Sequence, residues 1–207
     1  MELNTIGIAG TVAAAPERHR NIYGQQDIYA LWLDITRDSG IVDRVLVLFQ
    51  AKKINGEGRV ELIKEGSRLE VTGQLQTYKD WNAGRYQLFV WGTYLAALPE
   101  GTQELNSVYL TAEVLREPIY RETPKSRRIT DMALRVPSAF SPGYTCVIPC
   151  ITWGSNAAAA AEVKPGDTVY LEGRLQSREY EKDGQVFTTW EVSASKMDTK
   201  ENYKNGN

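Results

Sequence analysis

The sequence predicts an all-β chain of two tandem five-stranded barrels, and three features support this. The chain repeats itself at an offset near 100 residues. Each copy divides into five stretches with the periodicity of strands, and each leaves room for one short helix between its third and fourth strands. A repeat of this length exceeds the roughly 20–50 residues of solenoid units and matches a small domain, so two domains placed head to tail are expected.

The repeat is visible at the start and near the end of each copy. Residues 4–12 (NTIGIAGTV) return as 106–114 (NSVYLTAEV), an offset of 102 residues. Residues 73–77 (GQLQT) return as 173–177 (GRLQS), an offset of 100 residues. The predicted domains are residues 1–100 and 104–197, followed by a short polar tail, 198–207.

Alternating and continuous apolar runs define the strands of the first copy. The second strand sets Leu31 and Leu33 on one face and Trp32 on the other. Gly73 lies inside the fourth strand, where a glycine marks a bulge or a tight bend of the kind that closes small barrels. The predicted strands are 3–12, 28–36, 42–50, 68–77 and 84–95.

The connection between the third and fourth strands contains the predicted helix. In the second copy, residues 155–162 (SNAAAAAE) place a polar cap before a run of alanine, the best helix former. Five strands with one helix at this point is the layout of the OB-fold. An immunoglobulin-type sandwich needs about seven strands with a different spacing, so we predict two tandem OB-fold barrels.

Composition restricts the possible partners. The formal net charge is −2, so any phosphate binding must come from local clusters of basic residues. The segment 116–128 is one such cluster, with five basic residues against two acidic ones. No apolar run approaches the roughly 20 residues of a membrane span, and the N-terminus has no signal-peptide pattern. A cytoplasmic location is therefore expected.

No catalytic or metal-binding constellation is present in the sequence. The single histidine, His19, lies between two arginines and lacks the neighbours of a nucleophile–base pair. Cys146 and Cys150 lie about 13 Å apart along a strand, too far for a disulfide and too few for a zinc site. We therefore predict a non-enzyme without cofactor or metal, in which both thiols pack in the core.

Aromatic residues placed beside arginines recur in both copies. Single-stranded nucleic acid is bound by this combination, because bases stack on aromatic faces while cations contact the phosphates. Such a site tolerates any sequence, since every base has a π-face. The candidate DNA-binding residues are Trp32, Arg44, Phe49, Tyr78, Trp81, Arg85, Tyr120, Arg121, Arg127, Arg128, Trp153, Arg174, Arg178 and Tyr180.

Several motifs in order resemble the bacterial single-stranded-DNA-binding protein family, in a two-domain version. The first copy contributes 47–49 (VLF) and 73–77 (GQLQT). The second contributes 118–124 (PIYRETP), 148–157 (IPCITWGSNA) and 173–180 (GRLQSREY). The resemblance covers about 2–99 and 104–196, and it implies an OB barrel in each copy.

The resemblance also implies roles for individual residues. The family's stacking aromatic after the fourth-strand motif corresponds to Tyr180, and in the first copy to Asp80 with Trp81 beside it. Its aromatic at the end of strand three corresponds to Phe49 and Trp153. A further family aromatic at the start of strand three is absent, because Asp43 and Val147 stand there.

Two functional hypotheses follow. The first is sequence-independent binding and protection of single-stranded DNA in replication, recombination or repair, and RNA binding is a weaker variant of it. Family members assemble four OB-folds, so two copies per chain imply a homodimer. The alternative is an OB-fold protein-interaction factor of a primosome or mobile element, since the chain lacks the family's acidic C-terminal tip that recruits enzymes.

Overall fold

Two compact units make up the chain. The structure is a computed structural model that describes residues 3–52, 60–80, 84–123, 126–140, 142–182 and 184–199. The first unit contains Thr5–Asn106 and Ser138–Tyr144. The second unit contains Met1–Asn4, Ser107–Pro137 and Thr145–Asn207.

The first barrel is built from five strands that pair in a closed ring. Pairing runs from β1 to β2, β3, β5 and β4, and β4 returns to β1. All neighbours are antiparallel except β3 and β5, which are parallel. The strands are β1 (Asn4–Arg18), β2 (Ile28–Thr36), β3 (Val42–Gln50), β4 (Arg68–Asp80) and β5 (Arg85–Ala97).

The second barrel repeats this ring. Pairing runs from β6 to β8, β9, β11 and β10, and β10 returns to β6. The extra strand β7 pairs with β8 outside the ring. The elements are β6 (Leu105–Val114), β7 (Ile119–Glu122), β8 (Arg128–Pro137), β9 (Thr145–Trp153), α1 (Ser155–Glu162), β10 (Thr168–Lys182) and β11 (Gln185–Thr199).

Alternation along the strands fills each barrel with apolar side chains. In the first barrel, Leu31 and Leu33 point inward and are almost fully buried, as their spacing predicts. In the second, Cys146 and Cys150 are buried free thiols, so the prediction of core cysteines is confirmed. The tandem OB-fold prediction is likewise confirmed.

The predicted helix of the second copy is α1. It buries Ala157 and Ala160 against the barrel, and the Thr130 hydroxyl donates a 2.7 Å hydrogen bond to the Ala157 carbonyl. In the first copy the described part of the equivalent connection forms a 3₁₀ turn, Val60–Leu62. No helix in the described ranges is long and apolar enough to cross a membrane.

Glycine permits the same bulge in both barrels. The β4–β5 register shifts between Thr72 and Gly73, and the β10–β11 register shifts at the equivalent Gly173. A Cβ at either glycine would collide with the backbone oxygen of the neighbouring strand, that of Trp91 or Ser193. The bulge predicted from Gly73 is therefore confirmed, and it bends the strand where the barrel closes.

Candidate nucleic-acid interface

Three predicted site residues share the outer face of the second barrel. Leu175 points inward and is 1% exposed. Because successive strand residues alternate between faces, Arg174, Arg178 and Tyr180 point outward along β10. All three are exposed, so they form a row in which two cations precede an aromatic ring.

Trp153 lies on the same outer face, toward the other end. β9 runs parallel to β11, with Cys150 opposite Val192 on the inner side and Ile151 opposite Ser193 on the outer side. Trp153 follows two residues after Ile151 and is therefore also on the outer side, with 38% of its surface exposed. Tyr180 pairs with Phe187 of β11, and Trp153 lies beside Ser195 of the same strand. These two positions of β11 are eight residues apart, which corresponds to roughly 25 Å along the strand.

A hydrogen-bonded network holds the two arginines of β10 in place. Glu191 is 3% exposed and accepts a 3.2 Å hydrogen bond from the Gln176 amide and a 3.3 Å bond from Arg178 Nε. Gln176 also accepts a 3.4 Å bond from Arg174 Nη2. The buried carboxylate thus orients Arg178 while the rest of that guanidinium remains exposed.

Tyr180 is supported by a second ring. It lies opposite Phe187 in the β10–β11 register, and the two rings stack with centroids 5.6 Å apart and planes 25° apart. Tyr180 is 38% exposed, so one face of its ring is held while part of the ring remains open to solvent. A ring fixed in this way loses little conformational entropy when a base stacks on it.

A surface pocket adjoins Trp153. Its volume is about 580 Å³, and the residues that line it include one tryptophan, two arginines and two serines. Gly154 adopts a φ of 60°, a left-handed conformation that glycine permits, where the chain turns from β9 into α1. The lining residues are Ser126, Arg127, Arg128, Trp153, Gly154 and Ser155.

Arg127 and Arg128 differ from Arg44, Arg121 and Arg178 in having no acidic partner among the described residues. Within the described part of the chain, neither guanidinium makes an ion pair or a side-chain hydrogen bond. By contrast, Arg121 Nε donates to Asp131 at 2.8 Å. An unpaired cation binds a phosphate without first losing an internal salt bridge, so these two arginines are best suited to that role.

The remaining candidates of the second copy lie on β7. Arg121 points to the same side of the sheet as Asp131, with which it pairs. Tyr120 is 46% exposed and pairs with Thr130 of β8. Because the side chain of Thr130 points inward, Tyr120 projects to the side of the sheet opposite to Arg121. Tyr120 is therefore separated from the outer face that carries Trp153 and Tyr180.

Phe49 and Trp153 are not structurally equivalent, which corrects the alignment of their motifs. Val47 lies opposite Val90 in the first barrel, whereas Cys150 lies opposite the equivalent Val192 in the second. The offset at strand three is therefore 103 residues, which matches Phe49 with Thr152 on the inner side. Phe49 is completely buried, and the prediction that it contacts DNA is wrong because its ring fills the core.

Tyr78 is also a packing residue. It is 7% exposed and packs against Phe89, with ring centroids 5.5 Å apart, while Arg20 lies over its ring. Burial raises the pKa of its phenol above the ordinary value. A buried ring offers no open face to a base, so the prediction that Tyr78 contacts DNA is wrong.

The other described first-copy candidates lie on β2, β3 and β5. Trp32 lies on the outer face, as predicted, and is half-buried in an apolar cluster. Arg44 makes two 2.8 Å hydrogen bonds to the carboxylate of Asp34, which raises the pKa of Arg44. Arg85 is exposed at the start of β5. Trp81 lies outside the described residues.

Sequence reasoning missed the polar residues that complete the outer face. Gln176 and Glu191 connect the arginines of β10 through hydrogen bonds. The alternation of β10 contained a usable signal, because Gln176 stands between Arg174 and Arg178 at the same period of two. The partners on β11 depend on register across the hairpin and have no local signal.

Comparisons with known proteins agree with this geometry. Residues 105–199 match the model of the single-strand binding protein family, which confirms the resemblance seen in the second copy. The wild-type single-stranded DNA binding protein from Thermus aquaticus has a similar crystal structure, with a TM-score of 0.73 and 23% identity over 96% of this chain and 93% of that one. A deletion variant of the same protein gives a TM-score of 0.71 and 24% identity over 96% and 94%. No curated protein sequence matches this chain significantly.

Proposed function

We propose that this chain, whose residues 105–199 match the single-strand binding protein family, binds single-stranded DNA without sequence preference. The observation that carries the proposal is the outer face of the second barrel. It combines two exposed aromatic rings, Trp153 and Tyr180, with arginines between and beside them. This is the combination that stacks bases and neutralises phosphates.

The mechanism follows from the chemistry of each group. Trp153 and Tyr180 stack on bases, while Arg174 and Arg178 lie between them, within reach of the phosphates that connect those bases. The pocket beside Trp153 takes a further phosphate on its unpaired guanidinium groups. Stacking uses the π-face common to all four bases, so such a site protects any unpaired strand in replication, recombination or repair.

The size of the face suits an extended strand. Its length of roughly 25 Å corresponds to about seven nucleotides at about 3.4 Å each, within the roughly 4–16 nucleotides that one OB-fold binds. The net charge of −2 is compatible with this, because binding depends on the local potential beside Trp153, where Arg127 and Arg128 line one pocket, and not on the charge of the whole chain.

The decisive experiment replaces each exposed ring by alanine and measures affinity for a dT oligomer at low salt. We expect Trp153→Ala and Tyr180→Ala each to weaken binding by about 5- to 150-fold, from stacking energies of about 1–3 kcal/mol. The melting temperature should change little, because both rings are exposed. Tyr94→Ala is the matched control, since Tyr94 is 39% exposed and lies in the first unit.

The results distinguish single-stranded DNA binding from the protein-interaction and RNA-binding alternatives. Unchanged affinity in both variants would contradict the site. Absence of any dT binding by the wild-type chain, with no quenching of tryptophan fluorescence, would favour the protein-interaction factor instead. A matched RNA oligomer that binds more tightly than dT would shift the assignment to RNA.

We further propose that two chains form a homodimer with four OB-folds and that the protein acts in the cytoplasm. The family resemblance, with two barrels per chain, supports this stoichiometry. Light scattering coupled to gel filtration should give twice the chain mass. A monomer at micromolar concentration would contradict the dimer without affecting the proposed site.

A further inference from the structure

The strand register makes the outer faces of the two barrels comparable residue by residue. Leu75 lies opposite Val90, and the equivalent Leu175 lies opposite Val192. The inner side chains are therefore alike, but the outer side chains are aromatic in the first barrel and polar or charged in the second. Where the first barrel has Tyr78, Phe89 and Trp91, the second has Arg178, Glu191 and Ser193.

In the first unit this aromatic face is occupied by a segment of the same chain. Ser138–Tyr144 belongs to the first unit, and the ring of Phe140 packs on the apolar cluster. Phe140 stacks on Tyr23, with centroids 5.3 Å and planes 22° apart, and meets Trp91 edge-on at 4.9 Å. It also lies nearly parallel to Phe89 at 6.3 Å.

One hydrogen bond joins the segment to the barrel, and a second holds the ring on which Phe140 stacks. The Ala139 N–H donates to Gln76 Oε1 at 3.1 Å, and Gln76 is fully buried. The Tyr23 hydroxyl donates to the Thr77 carbonyl at 2.9 Å, which holds the second ring of the stack in place. A base entering here would have to displace the Phe140 ring and break the bond to Gln76.

Two arginines near this face already pair with carboxylates. Arg20 lies over the ring of Tyr78, 5.3 Å from its centroid, and pairs with Asp80 at 3.7 Å. Arg44 is held by Asp34. A phosphate would compete with a carboxylate at either arginine, unlike at the pocket of the second unit.

We propose that the outer face of the first unit is a docking site for the chain's own segment Ser138–Tyr144, anchored by Phe140, and that the outer face of the second unit binds the DNA strand. This inference rests on the proposed function. It assigns different tasks to two copies whose folds are the same. Phe140 is then a packing residue whose ring occupies the place that a base takes on an open face.

The test compares Phe140→Leu and Phe140→Ala with the wild type in the full-length chain. Leucine keeps an apolar side chain but removes aromatic stacking, so we expect dT affinity within twofold of the wild type. Alanine opens a cavity in the cluster, so we expect the melting temperature to fall by roughly 5–15 °C. Trp153→Ala is the matched control and should show the reverse, a loss of affinity at constant melting temperature.

The two variants test separate parts of the inference, and each has its own contradicting result. A loss of dT affinity beyond fivefold in Phe140→Leu would overturn the inference, because the ring would then be a base contact. An unchanged melting temperature in Phe140→Ala would overturn it as well, because the segment would not be docked. If the wild-type chain binds no dT, the proposed function fails, while the melting temperature still tests the docking.

Discussion

Replacing Arg127 and Arg128 together by alanine tests the electrostatic part of the proposed function. Both line the pocket beside Trp153, and neither has an acidic partner among the described residues. Each phosphate neutralised on a single strand contributes about 0.7 to the slope of log affinity against log salt. The double variant should therefore lower the magnitude of that slope by about 1.4.

This difference is large enough to measure. Between about 50 and 200 mM salt, a slope difference of 1.4 changes the affinity ratio of wild type to double variant by roughly sevenfold. The assay is a titration of a dT oligomer at several salt concentrations, followed by tryptophan fluorescence or anisotropy. The two substitutions should leave the melting temperature unchanged, because both side chains are exposed.

Arg121→Ala is the matched control. Its guanidinium donates to Asp131 at 2.8 Å, so it carries little net charge toward a strand, and its removal should leave the slope close to that of the wild type. If the double variant and the control change the slope equally, the distinction between paired and unpaired arginines is refuted. If neither changes it, the pocket does not contact phosphate.

Four further outcomes are expected. Phe49→Ala should destabilise the chain by about 3–5 kcal/mol in chemical unfolding without weakening dT binding per folded molecule, because Phe49 is a core residue. Gly173→Ala should lower the melting temperature, since its Cβ would meet the Ser193 carbonyl. Glu191→Gln should strengthen dT binding at low salt, because it removes the carboxylate that neutralises Arg178. Burial raises the pKa of the Cys150 thiol, so it should not react with a thiol reagent at neutral pH until the chain is unfolded.

The strands were predictable because their signal is local. Residues 28–36 and 42–50 form β2 and β3 with the predicted bounds, since alternation and β-branched residues mark both segments. The fourth and fifth strands extend beyond their predicted ends, to Asp80 and Ala97. These extensions are held by pairing with each other in a hairpin, which is a property of register and not of either segment alone.

The face of a side chain was harder to predict than its strand. A slip of one residue in the alignment of strand three moves every side chain to the opposite face. The motifs ending in Phe49 and Trp153 look equivalent in the sequence, but the offset there is 103 residues, not 104. One ring therefore fills the core while the other is exposed.

Ion pairing across strands was likewise outside the reach of the sequence. Arg44 and Arg121 were candidates because they are basic and stand near aromatic residues. In the structure each is bound by an aspartate ten residues away, Asp34 or Asp131, on a neighbouring strand. Arg127 and Arg128 lack such a partner in the described ranges, and nothing in the local sequence distinguishes them from the paired arginines.

The repeat itself shows which positions a barrel must keep and which it is free to change. The inner positions Leu75 and Leu175, and the bulge glycines beside them, are the same in both copies because barrel closure requires them. The outer face carries no such requirement, so one copy can bury aromatic rings there while the other keeps a charged network. An aromatic face covered by Phe140 and a face that must admit a DNA strand are incompatible uses of one surface. With two copies in one chain, each surface can be adapted to one of these uses alone.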